Sequence, residues 1–505
     1  MPRQVSRRNF NLGLAASLGL AGSFESLSAE AQSRAETLVG ADPFSLGVAS
    51  GDVTADSVVL WTRLAPSPLS EAGGMPSEKV PIEYVVSKSQ DLSDPILKGV
   101  YQTSPVFGHS VHIELDGLTS GQEYWYQFRL GRYQSPTGRT RTLPASTSDT
   151  PIQIAQVSCQ NFAQGYFSAY DHILADDPDI VLHLGDYIYE QSYGGVVRSQ
   201  IHDGERLVSL DDFRRLYAQY KQDESLKSAH QHLPFICIPD NHDVQIDGDE
   251  TGSTAYTNAW QAWYENMPVR NPFDVSGHPK IYRTLPLGGL ATLYLLDTRQ
   301  YRDTQTICSD SSRLDMGFNQ YVLPCEDLEA ESRSLLGAEQ EGWLDEALQT
   351  DPRPWRVLAS TIPMSPYRMD SDEGDRVYFG SWDGYPAARQ RLISSILTKP
   401  KKTIVLSGDV HSSWLNRVME GDKIAAVEVT GPSVTSGWPP PLADPMLASQ
   451  HLNPHARLID MTSHGYVRHN ISKNAWRASY QFLDNVTVPG ATISQTVDVV
   501  LDINV

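Results

Sequence analysis

Between residues 43 and 145 the apolar positions come in short runs interleaved with polar ones: "SVVLWTRL", "KVPIEYVVS", "HSVHIELDGL" and "EYWYQFRLG". Clusters of Gly, Pro, Ser and Asp separate them, and no convincing helix intervenes. The pattern predicts strands joined by turns, and so a small β-sandwich of immunoglobulin-like type over 43–145. The alternative is that these strands extend a later sheet. "PASTSDTP" then reads as a linker.

After residue 151 the period changes. "IQIAQVSC", "DIVLHLGDYIY", "PFICIPDNHD", "ATLYLLDTR", "WRVLASTIPM", "TIVLSGDVHSSW" and "IAAVEVTGPSV" read as buried strands. Between them lie the helical patterns "YFSAYDHILADD", "LDDFRRLYAQYKQ", "AYTNAWQAWYENM", "AEQEGWLDEALQ" and "AARQRLISSIL". Buried strands alternating with amphipathic helices predict an α/β domain, assigned to 151–475. The last stretch, 476–505, ends in alternating Val and Ile, which favours a β extension that completes a sheet.

At 505 residues the chain exceeds one ordinary core, which fits two domains. A net charge of −21 excludes a broad nucleic-acid-binding surface. It leaves anionic substrates open, because a local cationic site overrides the global field. The N-terminus pairs Arg7 and Arg8 with a short apolar run, Phe10 to Gly22, followed by Ala29-x-Ala31. This resembles a twin-arginine export signal over 1–31, read by the twin-arginine machinery. The expected location is therefore periplasmic or secreted. No apolar run reaches the ~20 residues of a membrane-spanning helix. In an oxidising compartment Cys308 and Cys325 are candidates for a bridge, with two free thiols as the alternative. Cys237 reads as core.

The chemistry sits at the carboxyl ends of the strands. "VSCQ" brings Cys159, "LGDYIY" brings Asp186 and Tyr189, "PDNHD" brings Asp240, Asn241, His242 and Asp243, and "LSGDVHSS" brings Asp409 and His411. Ligands of open α/β sheets bind at that edge. Each element alone has an ordinary explanation as turn, cap or packing, and Tyr187 is read as packing. Together, carboxylates gathered without cations would repel and desolvate badly, and metal ions remove that penalty.

This arrangement resembles the metallophosphoesterase superfamily, with the G-D-x-x-Y variant of purple acid phosphatases. It is most similar to the alkaline phosphatase D (PhoD-like) family. The stretches that carry the likeness are "GVASGDVTADSVVLWTRL", "VSCQ", "HLGDYIYE", "LDTRQYRD", "LGAEQEGWL", "GYPAARQRLI", "SGDVHSSW" and "NPHARLIDMTSHGY". The resemblance implies a four-layer α/β/β/α metallophosphatase domain behind the β-sandwich, with ferric iron and calcium. Carried over by position, it implies that Cys159, Asp186, Tyr189 and His411 hold iron. Asp186 would bridge to a second subsite with Asn241 and Asp409. A thiolate, a phenolate and a carboxylate suit a trivalent ion. The all-oxygen second subsite suits calcium, one or two ions, ahead of magnesium or manganese. Asp409 stands where other members of the superfamily carry His. The strand "LASTIPM" lacks an imidazole and offers Thr361 instead.

The expected reaction is hydrolysis of phosphate monoesters or diesters by a metal-bound hydroxide. His242 is either the acid that protonates the leaving group or a hydrogen-bonding orienter. Arg299 either grips a phosphate oxygen or forms a salt bridge. Asp240 is either an acid behind the ligands or a turn residue. The alternatives are mainly phosphodiesterase or phospholipase D-like activity, and a non-catalytic metal-stabilised binding protein. Neither stable nucleic-acid binding nor an integral membrane segment is expected. Neither a G-x-S-x-G elbow nor a G-x-x-x-x-G-K-[ST] loop occurs to support an esterase or an ATPase.

Overall fold

A computed structural model describes residues 26–193, 196–202, 207–244, 253–273, 279–305, 308, 321–438 and 440–501. The Arg7–Arg8 segment and its apolar run lie outside the described residues.

Two large sheets face each other. One has nine strands, in the order Ile493–Val500, Trp476–Leu483, Gly465–Ile471, Ile152–Val157, Ile180–His183, Pro234–Cys237, Val48–Gly51, Val58–Arg63 and Ser110–Leu115. The other has seven: Arg283–Leu287, Ala291–Leu295, Trp355–Ala359, Lys402–Ser407, Lys423–Thr430, Ser413–Glu420 and Ala456–Asp460. At the heart of each sheet the strands run parallel. Parallel strands must be covered on both faces, which is why their sequences are nearly all aliphatic.

The pleat sorts these side chains between layers. Ile154, Ile180, Leu182 and Ile236 from one sheet meet Leu293, Val357, Ile404 and Val429 from the other in a common core. Their alternates Val157, Val181 and Phe235 pack outward with Tyr170, Leu216 and Trp263. These belong to the helices Ala169–Asp176, Leu210–Lys221 and Thr254–Asn266. Across the molecule, Leu358 and Val405 pack against Leu344, Ile393 and Ile396, from the helices Gly337–Thr350 and Pro386–Thr398. The result is the four-layer α/β/β/α arrangement that the family resemblance implies.

The early strands divide between two sheets. Pro81–Ser87, Pro95–Gln102 and Glu123–Leu130 form a five-stranded sheet with Tyr133–Gln134 and Gly138–Arg141. Val48–Gly51, by contrast, pairs in parallel with Pro234–Cys237 and carries Val58–Arg63 and Ser110–Leu115 into the nine-stranded sheet. The N-terminal β-rich region is thus stitched to the larger domain through shared backbone hydrogen bonds.

Ala29 and Ala31, the small-residue pair of the predicted cleavage pattern, lie in the first turn of a helix, Ala29–Val39. The Ser28 side chain caps it, accepting from the Ala31 N–H. A helix over Glu224–His232 is absent from the sequence expectation. It buries only Leu226, Ala229 and His230 and is started by the Asp223 side chain, too sparse a pattern for periodicity to register. Cys308 and Cys325 are bonded, and Cys237 is a buried free thiol in the helix-side core. Among the described residues no helix is long and apolar enough to cross a membrane.

Candidate functional site

The site forms where strands from both large sheets end. Cys159 follows Ile152–Val157, Asp186 and Tyr189 follow Ile180–His183, and Asp240 to His242 follow Pro234–Cys237. From the second sheet, Arg299 follows Ala291–Leu295, Thr361 follows Trp355–Ala359, and Asp409 and His411 follow Lys402–Ser407.

Four of these residues hold a backbone conformation that L side chains rarely adopt. Cys159 has φ 58°, Asp186 54°, Asp409 69° and His411 50°. Each such residue costs on the order of 1–3 kcal/mol and persists only where its surroundings over-determine it. Here they do. The Cys159 N–H donates to Gly185 O at 3.1 Å, and the Gln160 N–H donates to Asp186 O at 3.1 Å. The Ser436 hydroxyl donates to Cys159 O at 2.8 Å. Gly408 permits a close approach, because a Cβ there would meet Ser158 Oγ at 2.5 Å.

The structure brings the four residues of the expected iron subsite together. One ligand atom each from Cys159, Asp186 and His411 lies within 4.8 Å of the others. Tyr189 Oη sits 2.8 Å from Asp186 Oδ2 and 2.9 Å from His411 Nε2. The Cys159 thiol donates to Asp186 Oδ2 at 3.7 Å. His411 Nδ1 lies 3.0 Å from Gly437 O. A carbonyl only accepts, so Nδ1 carries the proton and Nε2 turns its lone pair towards the cluster.

The second set also converges. Arg299 Nη2 lies 2.5 Å from Asp409 Oδ1, 2.9 Å from Asp240 Oδ2 and 3.1 Å from Asn241 Oδ1. Arg299 Nε donates to Asp240 Oδ1, and the Thr361 hydroxyl donates to the same oxygen at 2.8 Å. In this structure Arg299 therefore forms a buried salt bridge, and Asp240 is its partner rather than a turn residue. Arg299 Nη1 takes part in none of these contacts. Tyr187 turns away into the helix layer, its hydroxyl 2.9 Å from His230 Nε2.

His242 lies over the Tyr189 ring with centroids 4.2 Å apart. Its Nδ1 is 2.9 Å from Glu190 Oε2, and the Tyr193 hydroxyl donates to Glu190 Oε1 at 2.7 Å. Glu190 was missing from the expected site, although it ends the same stretch, "GDYIYE". Burial works against its charge, but the neighbouring His242, its hydrogen bond and that of Tyr193 win and hold the carboxyl at about 2. A carboxylate held below its usual value of 4.5 stabilises the fold above that pH and loses its contribution as pH falls towards 2. Glu190→Gln should therefore cost about 3 kcal/mol at pH 7, with the gap closing progressively between pH 4.5 and pH 2. Urea unfolding across that range checks this, and a gap independent of pH would contradict it.

Elsewhere burial dominates and disfavours anions. It pushes Cys159, Asp186 and Tyr189 well up, aided for Cys159 and Tyr189 by the charge on Asp186. Asp409 is raised to about 6 by burial, against the pull of Arg299. Burial lowers His411 to about 4, so it is neutral and able to act as a ligand. A neutral imidazole beside a thiol, a phenol and carboxyls that need a positive neighbour is a donor set that fits metal cations. The oxygens of Asp240, Asn241 and Asp409, converging on a guanidinium, are donors that a hard cation takes.

Comparison with known proteins agrees with this geometry. The family described as PhoD-like phosphatase matches residues 154–480, and its N-terminal domain matches residues 29–144. Alkaline phosphatase D of Bacillus subtilis (strain 168) is 38% identical over 479 residues, covering 90% of this chain and 79% of that protein. A solved structure described as that of PhoD superposes with a TM-score of 0.83 at 36% identity, over 92% of this chain and 91% of that one.

Proposed function

This chain belongs to the PhoD-like phosphatase family and is a phosphoester hydrolase; on that footing we propose that it works outside the cytoplasm, with iron and calcium in the site described above. Cys159, Asp186, Tyr189 and His411 would hold ferric iron. Asp186, Asn241 and Asp409 would hold calcium, one or two ions. The observation that carries this reading is the gathering of a thiol, a carboxyl and an imidazole within 4.8 Å, with a phenol between the last two. Such ions, when bound, polarise phosphoryl oxygens and lower the pKa of water.

The chain's own residues supply the rest. His242, braced by Glu190 through Nδ1, would deliver a proton from Nε2 to the leaving oxygen. Arg299, anchored through Nε and Nη2, would offer Nη1 to a phosphate oxygen. His242→Ala should then slow esters of poorly leaving alcohols by about 10²–10⁴, while esters of an acidic phenol, which leaves unprotonated, lose far less. Equal losses on both would remove the proton-donor role and leave His242 as an orienting group.

Export is supported by the Arg7–Arg8 pair ahead of the apolar run. The Cys308–Cys325 bond adds to this, since such bonds persist in oxidising compartments. Both monoesters and diesters fit the chemistry of the described site residues. The test is hydrolysis of a chromogenic monoester and diester before and after chelation, with metal content measured. We expect both activities to fall on chelation and to return with iron and calcium together. Hydrolysis unchanged in fully chelated protein would overturn the metal reading.

A further inference from the structure

We propose that Tyr378 is a positioning residue for Asp409, and that the Cys308–Cys325 bond holds it in that place. The inference rests on the reading of Asp409 as a ligand of the second cation. The Tyr378 hydroxyl donates to Asp409 Oδ2 at 3.0 Å, while Asp409 Oδ1 faces Arg299. Both oxygens of this carboxylate are thus aimed by named partners. Such partners orient a ligand and raise its affinity for metal.

Tyr378 is 1% exposed and lies in a strand of two residues, Val377–Tyr378. Among the described residues this strand pairs with Tyr321–Val322 alone, Tyr378 opposite Tyr321 and Val377 opposite Val322. The two phenol rings pack with centroids 5.4 Å apart. Both belong to a cluster that includes Val410, the residue between Asp409 and His411. Two residue pairs make a ribbon far too short to stand alone. What fixes its outer half is a small core of Val322, Leu328, Val377 and Phe379, with Cys308 and Cys325 packed against it. The bond closes a loop whose ends are 17 residues apart, and the strand opposite Tyr378 lies within that loop. The Ser381 N–H and hydroxyl both donate to Tyr378 O. They hold the backbone after Tyr378, and the Tyr321 ring is one of the groups its ring packs on.

The test is calcium titrated calorimetrically into chelator-treated full-length protein. Tyr378→Phe should weaken calcium binding by about 10- to 100-fold. The double variant Cys308→Ser/Cys325→Ser should weaken it in the same direction. Because the two act through one contact, the triple variant should bind no more weakly than Tyr378→Phe alone. Iron content should stay at the wild-type level throughout. If the cysteine variant fails to fold, Tyr321→Leu takes its place: it keeps the bond, removes the ring packed on Tyr378, and carries the same expected weakening. Wild-type calcium affinity in Tyr378→Phe, or losses that add as for independent sites, would overturn the inference. Wild-type protein that takes up no calcium would instead overturn the metal reading itself.

Discussion

Asp186→Asn should abolish phosphoester hydrolysis while leaving the metal-free fold at least as stable as before. Asp186 is the carboxylate shared by both proposed subsites. It touches Tyr189 and Cys159 through Oδ2 and accepts from the His242 N–H at 3.3 Å through Oδ1. An amide keeps the shape but loses the charge that two cations would share. If the ions supply several kcal/mol of transition-state stabilisation, kcat/KM should fall on the order of 10³-fold or more. Iron and calcium contents should fall with it. Stability should move the other way. Burial and neighbouring acids raise the Asp186 carboxyl well above its ordinary range, although His242 opposes them. Its ionised form at neutral pH is therefore a cost to the empty protein, and a neutral amide relieves it. Melting of chelated wild type and variant at pH 7–8 checks this half. A variant that keeps its activity, or loses it only by unfolding, would contradict the assignment.

Gly185→Ala should be nearly as damaging, for a steric reason. Gly185 has φ 95°, and a Cβ there would stand 2.4 Å from Asp240 Cβ and 2.7 Å from Asp240 N. Left-handed strain and overpacking together put the cost at about 2–5 kcal/mol. The groups that must move are Asp240, which anchors Arg299, and Asp186 itself, the next residue. Activity should therefore fall further than the stability loss alone explains. Gly342→Ala is the control. It lies in the helix Gly337–Thr350 with nothing within 4 Å of the added carbon, and should be neutral or slightly stabilising. Denaturant unfolding and activity of the two variants decide the matter. Equal, small effects would show that the Gly-Asp turn tolerates a side chain and that its geometry is not what sets the site.

The buried strands of the fold were legible because burial on both faces leaves aliphatic runs in the sequence, while the four layers came from the family likeness; in the structure the pleat divides Ile180 and Leu182 from Val181. The gathering of Cys159, Asp186, Tyr189 and His411, which we propose as an iron subsite, was legible because each of them follows such a run. The split of the early strands was not, since the parallel pairing of Val48–Gly51 with Pro234–Cys237 depends on a partner far away in the sequence. Glu190 was overlooked although it stands four residues after Asp186: only the folded turn reveals that it faces His242 rather than solvent. The ambiguity over Arg299 also needed coordinates, because its partners Asp240 and Asp409 come from different sheets. Tyr378 left no sequence signal at all. A two-residue strand carries no periodicity, and the role we propose for it rests on one hydrogen bond to Asp409. The left-handed backbones at Cys159, Asp186, Asp409 and His411 were equally hidden, because strain of this kind belongs to the packing around a residue and not to the residue type.

The central claim is that four side chains from three strand ends surround an iron ion. Crystals of the purified protein, with diffraction recorded on either side of the iron absorption edge, test it most directly. The account predicts an iron peak bounded by Cys159 Sγ, Asp186, Tyr189 Oη and His411 Nε2. Iron absent from that position, with the four groups hydrogen-bonded only to one another in catalytically active crystals, would contradict it.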